Sequence, residues 1–573
     1  MSTPLAGTPG QASGFAASTA QVAPHSQRRS AAIIIAAVSL LFAAIYGLRF
    51  NEAAGLVGDD AWYALLAKAL ATGQGFSLIS SPLPGILPSY PPGFPLLLSL
   101  IFKVAPRFPE NAWLLKAVSI LAMYGTGAVT YRYLTRSRGL SPQPALGAAV
   151  VVVLMPAFVF LATSTVMSEC VFTLSQLLTV AVMEACVESK DRQIEWRLAA
   201  AGAVLASFTF LTRSVAIGLI AAVMLYLLKE KSWRAMLVFA AGVFVVLAPW
   251  LVYVRTHAPT AQQVRQHGGN IVYSYGDQFW MKRAGDGNSG RTTWRDLPGR
   301  VAENALDIAG RDVGGLIAPA LFRGAEESGE EVFAMGYSSG MQGGSMGLTT
   351  GTMLISLLLS LCAVIGFALR VRQRVTLAEI VVPVSLLITV IWPWWPFRFV
   401  LPLAPFLIFY LLTGLGGIHQ FIQRRLRRQG SPLPVLRIFL LLVIALYCFD
   451  HTQYVRLKHQ PAAAQPEWLR NFEETRATLL WMREHLPSEA VIASNSPAMI
   501  YLYTGCQSVA ADDPAGNWEA WQQLGVRYVA ILKPYAITQL DDRKDCRVIY
   551  NTPRLQLRVL ELTGNGRTGL EKR

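Results

Sequence analysis

Apolar runs of about 20 residues with few charges, the length and composition that cross a bilayer as a helix, recur along most of this chain. Ala31 to Phe50, Thr349 to Leu369 and Phe399 to Leu415 are examples. Within lipid every backbone amide and carbonyl must be satisfied inside the protein, so repeated runs of this kind commit the chain to a helical bundle. The charge content agrees. Only 15% of the 573 residues are charged, against roughly 25% in soluble chains.

In a soluble protein the formal charge of +15 would suggest a nucleic-acid partner. Here the basic residues gather in short clusters between apolar runs, as the positive-inside rule describes, and no nucleic acid is expected. The clusters are Arg28-Arg29, Arg132/Arg136/Arg138, Lys190/Arg192/Arg197, Lys229/Lys231/Arg234, Arg370/Arg372/Arg374 and Arg424/Arg425/Arg427/Arg428. Placing all of them in the cytoplasm fixes the parity of crossings. It gives eleven spans, near 31–50, 112–132, 144–163, 168–186, 197–212, 214–228, 234–254, 349–369, 376–394, 399–417 and 435–450. The expected protein is a multi-pass component of the cell (inner) membrane, with a cytoplasmic N-terminus and an extracytoplasmic C-terminus.

Pro92 to Ala105 is apolar but only about 14 residues long, shorter than the usual span of about 17–25. As a crossing it would put Arg132, Arg136 and Arg138 outside. It is therefore read as a helix at the outer interface. Three long hydrophilic stretches then lie outside: 51–111, 255–348 and the tail from 451.

The expected domains are a disordered cytoplasmic tail over 1–30, a transmembrane domain over 31–450 with outer loops 51–111 and 255–348, and an extracytoplasmic domain over 451–573. Residues 1–27 lack the apolar content to fold. Gly and Ser between Gly285 and Gly290 and between Ser338 and Gly347 suggest mobile stretches. In the tail, Thr475 to His485 has helical spacing, while Ala490 to Ala493 and Tyr528 to Leu532 resemble short strands, which reads as a small α/β domain. Cys506 and Cys546 share this segment and could pair if it is extracytoplasmic.

Four places could carry chemistry. Asp59 and Asp60 follow the first span closely and open a helical pattern, where the plain role is helix capping. A carboxylate held just above the membrane can equally take a proton from a hydroxyl. Tyr90-Pro91-Pro92 breaks the outer loop and launches the interfacial helix. Glu169 lies at the second outer turn, where capping and function compete evenly. Trp392 to Phe399 looks like an interfacial aromatic belt. Within it Arg398 stands on the side poor in positive charge, and its planar fork suits phosphate. Arg213, between two short spans, is a second cation at that level.

Asp59-Asp60-x-x-Tyr63 after the first span, then Tyr90-Pro91-Pro92, Glu169 and Arg398-Phe399-x-x-Pro402, resemble the C-type (GT-C) glycosyltransferase superfamily. Within it they look most like the protein O-mannosyltransferase and lipid A aminoarabinose transferase branch. The resemblance covers about residues 31 to 450, and Asp60 stands where relatives usually carry Glu.

It implies an α-helical polytopic membrane fold with extracytoplasmic loops and a small C-terminal α/β domain. The implied activity is inverting transfer of a sugar from a polyprenyl-phosphate donor to a glycan, lipid or protein acceptor on the extracytoplasmic face. The implied catalytic residues are Asp59 and Asp60, with Asp59 as the base. Tyr63, Tyr90, Glu169, Arg213 and Arg398 are the implied substrate-binding residues. Phosphate is a good leaving group that needs cations more than an acid, so one carboxylate suffices.

No cofactor is expected, and no His or Cys cluster has zinc spacing, although an Asp59-Asp60 dyad could hold a divalent cation. Two other readings share these features: a transporter or flippase of a lipid-linked sugar, and an inactive scaffold of the same fold. A transporter commonly shows inverted repeats and ionisable residues at the bilayer midplane, and neither is evident.

Overall fold

Helix occupies each of the eleven apolar runs. The computed structural model describes residues 25–55, 58–83, 85–189, 191–258, 260, 275–282, 290–319, 349–426, 430–461, 465, 467–511, 514–532 and 545–563. Residues 1–24 of the tail expected over 1–30 and the Gly/Ser stretches at 285–289 and 338–347 lie outside the described residues, whereas residues 25–30 are helical. The chain divides into two compact units, residues 1–44 and 45–573. The first comprises most of helix α1 (His25–Arg49) among its described residues, and the second everything from Ile45 onward.

Along the chain follow α2 (Asp59–Ala71), α3 (Gly93–Val104), α4 (Ala112–Arg136), α5 (Pro142–Leu154), α6 (Pro156–Ser164), α7 (Glu169–Glu188), α8 (Arg192–Thr212), α9 (Ile217–Lys229) and α10 (Trp233–His257). After the long loop come α11 (Tyr275–Phe279), α12 (Leu297–Asp307), α13 (Thr350–Gln373), α14 (Ala378–Ile391), α15 (Ala404–Arg425) and α16 (Leu433–Lys458).

Seven described helices are long and apolar enough to cross a membrane, and α5 with α6 adds an eighth if the bent pair is one span. Ile33–Arg49, Ser214–Lys229 and Ala378–Ile391 are apolar but shorter, and the expected eleven is reached only with these three. The bend of 45° between α5 and α6 falls at Pro156, which has no N–H to continue the ladder. Carbonyls released there find side chains instead. Tyr46 Oη donates to Val153 O at 2.8 Å, and His451 Nε2 lies 2.9 Å from Leu154 O.

Helix α3 is amphipathic. Phe94, Leu98 and Phe102 are buried, whereas Leu96, Leu100 and Val104 are exposed, as suits a helix at an interface rather than a crossing. Its first residue packs against the end of α8: a side chain at Gly93 would overlap the Leu211 backbone. That close approach brings the Tyr90-Pro91-Pro92 turn beside Arg213.

The sequence reading places Arg138 in a basic cluster and assigns it no partner. In the structure it is buried at the end of the bundle away from α2, with Nη2 2.8 Å from Glu184 and Nη1 3.2 Å from Glu379. Thr376 Oγ1 lies 2.7 Å from an oxygen of each carboxylate, and Tyr410 Oη donates to Glu379 at 3.0 Å. Arg138→Ala would leave two buried carboxylates without their cation. Breaking a buried pair in this way costs about 3–5 kcal/mol, so the purified variant is expected to unfold at markedly lower temperature in a detergent thermal melt. An unchanged melting temperature would show that the network carries no such load.

After α16, which runs eight residues past the expected boundary at 450, the tail forms α17 (Glu467–His485), β1 (Val491–Ser494), α18 (Pro497–Thr504), β2 (Gln507–Ala510), α19 (Pro514–Gln523), β3 (Val526–Ile531), β4 (Cys546–Asn551) and β5 (Arg558–Leu562). The sheet order is β2-β1-β3-β5-β4. β1 pairs in parallel with β2 and β3, whereas β5 is antiparallel to β3 and β4. Ala493, Val509, Trp521, Val529 and Leu560 form the centre of its core. Cys506 is buried as a thiol that donates to Pro487 O.

This domain is docked on the loop segments that flank α2. Tyr503 Oη of α18 donates to Ala54 O at 3.1 Å, and Ser508 N to Ser80 O at 2.6 Å.

Candidate active site

The segment leading into α2 is fixed from several sides. Lys116 Nζ donates to Asn51 O at 2.7 Å, and Asn51 Nδ2 to Ser164 Oγ at 2.6 Å. Gly58, with φ of 87°, takes a left-handed conformation that a residue with a Cβ adopts at a cost. The helix begins at Asp59 with Gly58 as its N-cap, so both acidic residues stand in the first turn, where Asp60 Oδ1 accepts from Ala61 N at 3.1 Å.

The two aspartates have different partners. Asp60 is buried, and its Oδ2 accepts from Gly55 N at 2.8 Å, which ties the loop to the helix. Asp59 accepts from Tyr90 Oη at 2.7 Å through Oδ1, and from Arg398 Nη1 at 2.6 Å through Oδ2.

Arg398 reaches this point because Pro393 and Pro396 end α14 and start a new turn, Phe397–Val400, ahead of α15. Its Nε is also paired with Glu169 Oε1, the first residue of α7. The same Glu169 oxygen accepts from Arg213 Nη1 at 2.7 Å. Ser168 Oγ, instead of capping α7, donates to Tyr63 Oη at 3.1 Å. The Tyr63 ring meets Tyr90 and Phe94 edge to face, with centroids 5.3 and 5.1 Å away.

Asp59, Tyr63, Tyr90, Glu169, Arg213 and Arg398 thus form one cluster drawn from five separate stretches of chain, and Asp60 stands outside it. The cluster is neutral, two carboxylates against two guanidinium groups. Its exposure is graded: the side chain of Glu169 is 0% exposed, those of Arg213 and Arg398 11% and 17%, and that of Asp59 31%. Asp59 is therefore the acid that an incoming molecule meets.

Burial by itself would raise the Asp59 pKa. The Arg398 charge, the bonds from Tyr90 and Arg398 and the Arg213 charge outweigh it, and the carboxyl is held below its ordinary value of 3.8. Burial together with the nearby carboxylates pushes Tyr63 up to about 12 despite the arginines, and Tyr90 is raised well above 10.0, chiefly by burial and by Asp59. Both phenols are therefore hydrogen-bond donors at neutral pH. Among the described residues, no three His, Cys, Asp or Glu side chains gather as a metal site.

Tyr275 of α11 joins the site from the long stretch between α10 and α13, and sequence reasoning missed it. Its Oη donates to Ser89 O at 2.5 Å, and its ring lies 5.8 Å from that of Trp392. Arg300 and Asn304 of α12 fix this region, with Asn304 Nδ2 3.0 Å from both Val390 O and Trp392 O, and Arg300 Nη1 2.9 Å from Phe279 O. A tyrosine in a loop without periodicity gives no signal beforehand.

Residues 89–304 match the family model of glycosyltransferase family 87. The oligosaccharyltransferase of Archaeoglobus fulgidus, solved with a tethered acceptor peptide containing the NVT sequon, superposes with a TM-score of 0.51 at 11% identity, over 86% of this chain and 68% of that one. The same organism's oligosaccharyltransferase AglB, in complex with an inhibitory peptide and a dolichol-phosphate, gives 0.50 at 12% identity, over 93% and 74%. The chain has the GT-C glycosyltransferase fold. ArnT from Cupriavidus metallidurans bound to undecaprenyl phosphate is similar at 13% identity, with a TM-score of 0.48 over 94% of this chain and 99% of that one. No curated protein matches the chain. The family 87 match takes in Tyr90, Glu169, Arg213 and Tyr275. Asp59 precedes it and Arg398 follows it.

Proposed function

We propose that the protein is an inverting glycosyltransferase that moves a sugar from a polyprenyl-phosphate donor to an acceptor hydroxyl or amine on the extracytoplasmic face. The observation that carries this reading is the pairing of one partly exposed carboxylate, Asp59, with Arg398 in a chain of GT-C fold. The dolichol-phosphate bound to one structural neighbour supports a lipid-phosphate donor here.

Asp59 takes the acceptor proton while the acceptor oxygen or nitrogen bonds to the anomeric carbon. The bond from that carbon to the phosphate oxygen breaks, and the phosphate leaves with the electron pair toward Arg398 and Arg213. Glu169, too buried to meet a substrate, aims both guanidinium groups. Tyr90 holds the base, and the buried Tyr63 ring packs against Tyr90. A glycoside hydrolase usually needs a second carboxyl as acid; a phosphate leaving group does not.

The test is release of free polyprenyl phosphate, measured by mass spectrometry, when purified protein meets a total polyprenyl-lipid extract with cell-envelope acceptors. Release that depends on Asp59 is expected. No release above that of Asp59→Asn would refute the reading. A base works only when ionised, so activity is lost as pH falls through its pKa. Because Asp59 is held below 3.8 in the free protein, kcat/KM should stay level down to pH values where an ordinary carboxylate is already protonated.

The orientation follows from the basic clusters, and the proposed domains are a tail over 1–30, a membrane domain over 31–450 and an outer domain over 451–573. A cysteine placed at exposed Gln74 is expected to react with an impermeant reagent in intact cells, and one at exposed Arg372 only after permeabilisation. The reverse pattern would invert the topology.

A further inference from the structure

Both arginines of the site already hold carboxylates. Arg398 Nη1 donates to Asp59 Oδ2 at 2.6 Å and its Nε to Glu169 Oε1. A guanidinium offers two bidentate edges to an anion, and each edge of Arg398 therefore carries a carboxylate. Arg213 is engaged by the same Glu169 oxygen. Glu169 is sealed from solvent, whereas Asp59 is the most exposed member of the four. An anion arriving from the membrane surface can thus exchange with Asp59 much more readily than with Glu169.

Resting on the glycosyl-transfer reading, we infer that the donor phosphate displaces the Asp59 carboxylate from Arg398, so that Asp59 becomes a working base only once the donor is seated. The empty site is self-neutralised and the donor binds before the acceptor. A ligand shifts such an equilibrium only through its differential affinity for the two states, and the competing carboxylate weakens donor binding by the fraction of sites it occupies.

In transfer the acceptor proton passes to Asp59, and the electron pair of the broken carbon–oxygen bond goes to the lipid phosphate, which becomes a monoester. Once Asp59 loses its proton and the monoester dissociates, its carboxylate pairs with Arg398 again and restores the self-neutralised site.

The test uses the full-length protein in detergent and farnesyl phosphate as a sugar-free probe, with farnesol as the control, by calorimetric titration. Asp59→Asn and Asp59→Ala are both expected to bind the phosphate about tenfold more tightly than wild type, and Arg398→Gln more weakly. If both folded Asp59 variants bind no better than wild type while Arg398→Gln still loses affinity, the exchange is wrong and the donor reading stands. If the phosphate binds no better than farnesol to any form, both fall.

A second readout needs no variant. The acid limb of kcat reports the donor complex and that of kcat/KM the free enzyme. Loss of the Arg398 partner should place the former at higher pH, and coincident limbs would overturn the inference.

Discussion

Asp59→Asn is expected to lose about 10² to 10⁴ of turnover, the usual cost of removing a general base, while its melting temperature stays close to wild type. The amide keeps the size of the carboxylate and, with its one oxygen, can still accept from Tyr90 or Arg398, which bond separate oxygens of Asp59 at 2.7 and 2.6 Å. What it cannot do is take a proton. Asp60→Asn is expected to behave in the opposite way. Its buried carboxylate accepts from Gly55 N, and a bond to a charged group contributes about 1.5–3 kcal/mol. The loss should appear in the thermal melt more than in turnover. Near-normal turnover in a folded Asp59→Asn protein, with Asp60→Asn inactive, would reverse the two assignments.

Arg398→Ala is expected to be the second most damaging change. An arginine aimed at the charge that develops on the leaving phosphate is an electrostatic device, and removing one such group costs about 10² to 10³ in kcat. Arg398→Lys should recover only part of that. A point charge cannot contact Asp59 through one edge and Glu169 through another, as the guanidinium does. Steady-state rates with a fixed donor check both variants. Wild-type kcat in Arg398→Ala would reduce the residue to an interfacial anchor.

The sequence disclosed much of this geometry because span parity, fixed by the basic clusters, assigns loop ends to one face. Asp59, Tyr90, Glu169, Arg213 and Arg398 are far apart in the chain, yet all fall at outer ends of predicted helices. Parity says nothing of which way a side chain points. Asp59 and Asp60 are adjacent at the start of one helix, where successive residues diverge by about 100°, so only one can face the cluster.

Charge counting does not reveal the burial of Arg138: the clusters assign a side of the membrane only, and the partners that bury it, Glu184 and Glu379, lie 46 and 241 residues away. Pro156 was legible as a residue of an apolar run but not as a bend, since the carbonyls it frees are satisfied by Tyr46 and His451 from distant helices. In the tail, two strands and a helix could be read from local runs. The mixed sheet order could not, because pairing is a non-local choice. Tyr275 was hidden for the same reason: its contacts to Ser89 and Trp392 are set by the docking of a long loop.

The central claim is that this chain consumes a polyprenyl-phosphate-linked sugar by means of Asp59. Mass spectrometry of the polyprenyl lipids of cells lacking the protein, complemented with wild type or with Asp59→Asn, tests it most directly because the lipid reveals itself by mass whichever sugar it carries. A glycosylated polyprenyl phosphate is expected to accumulate in the deletion, to persist with Asp59→Asn and to fall to the original level with wild type. An unchanged lipid profile in the deletion, or full correction by a stably expressed Asp59→Asn protein, would contradict the account.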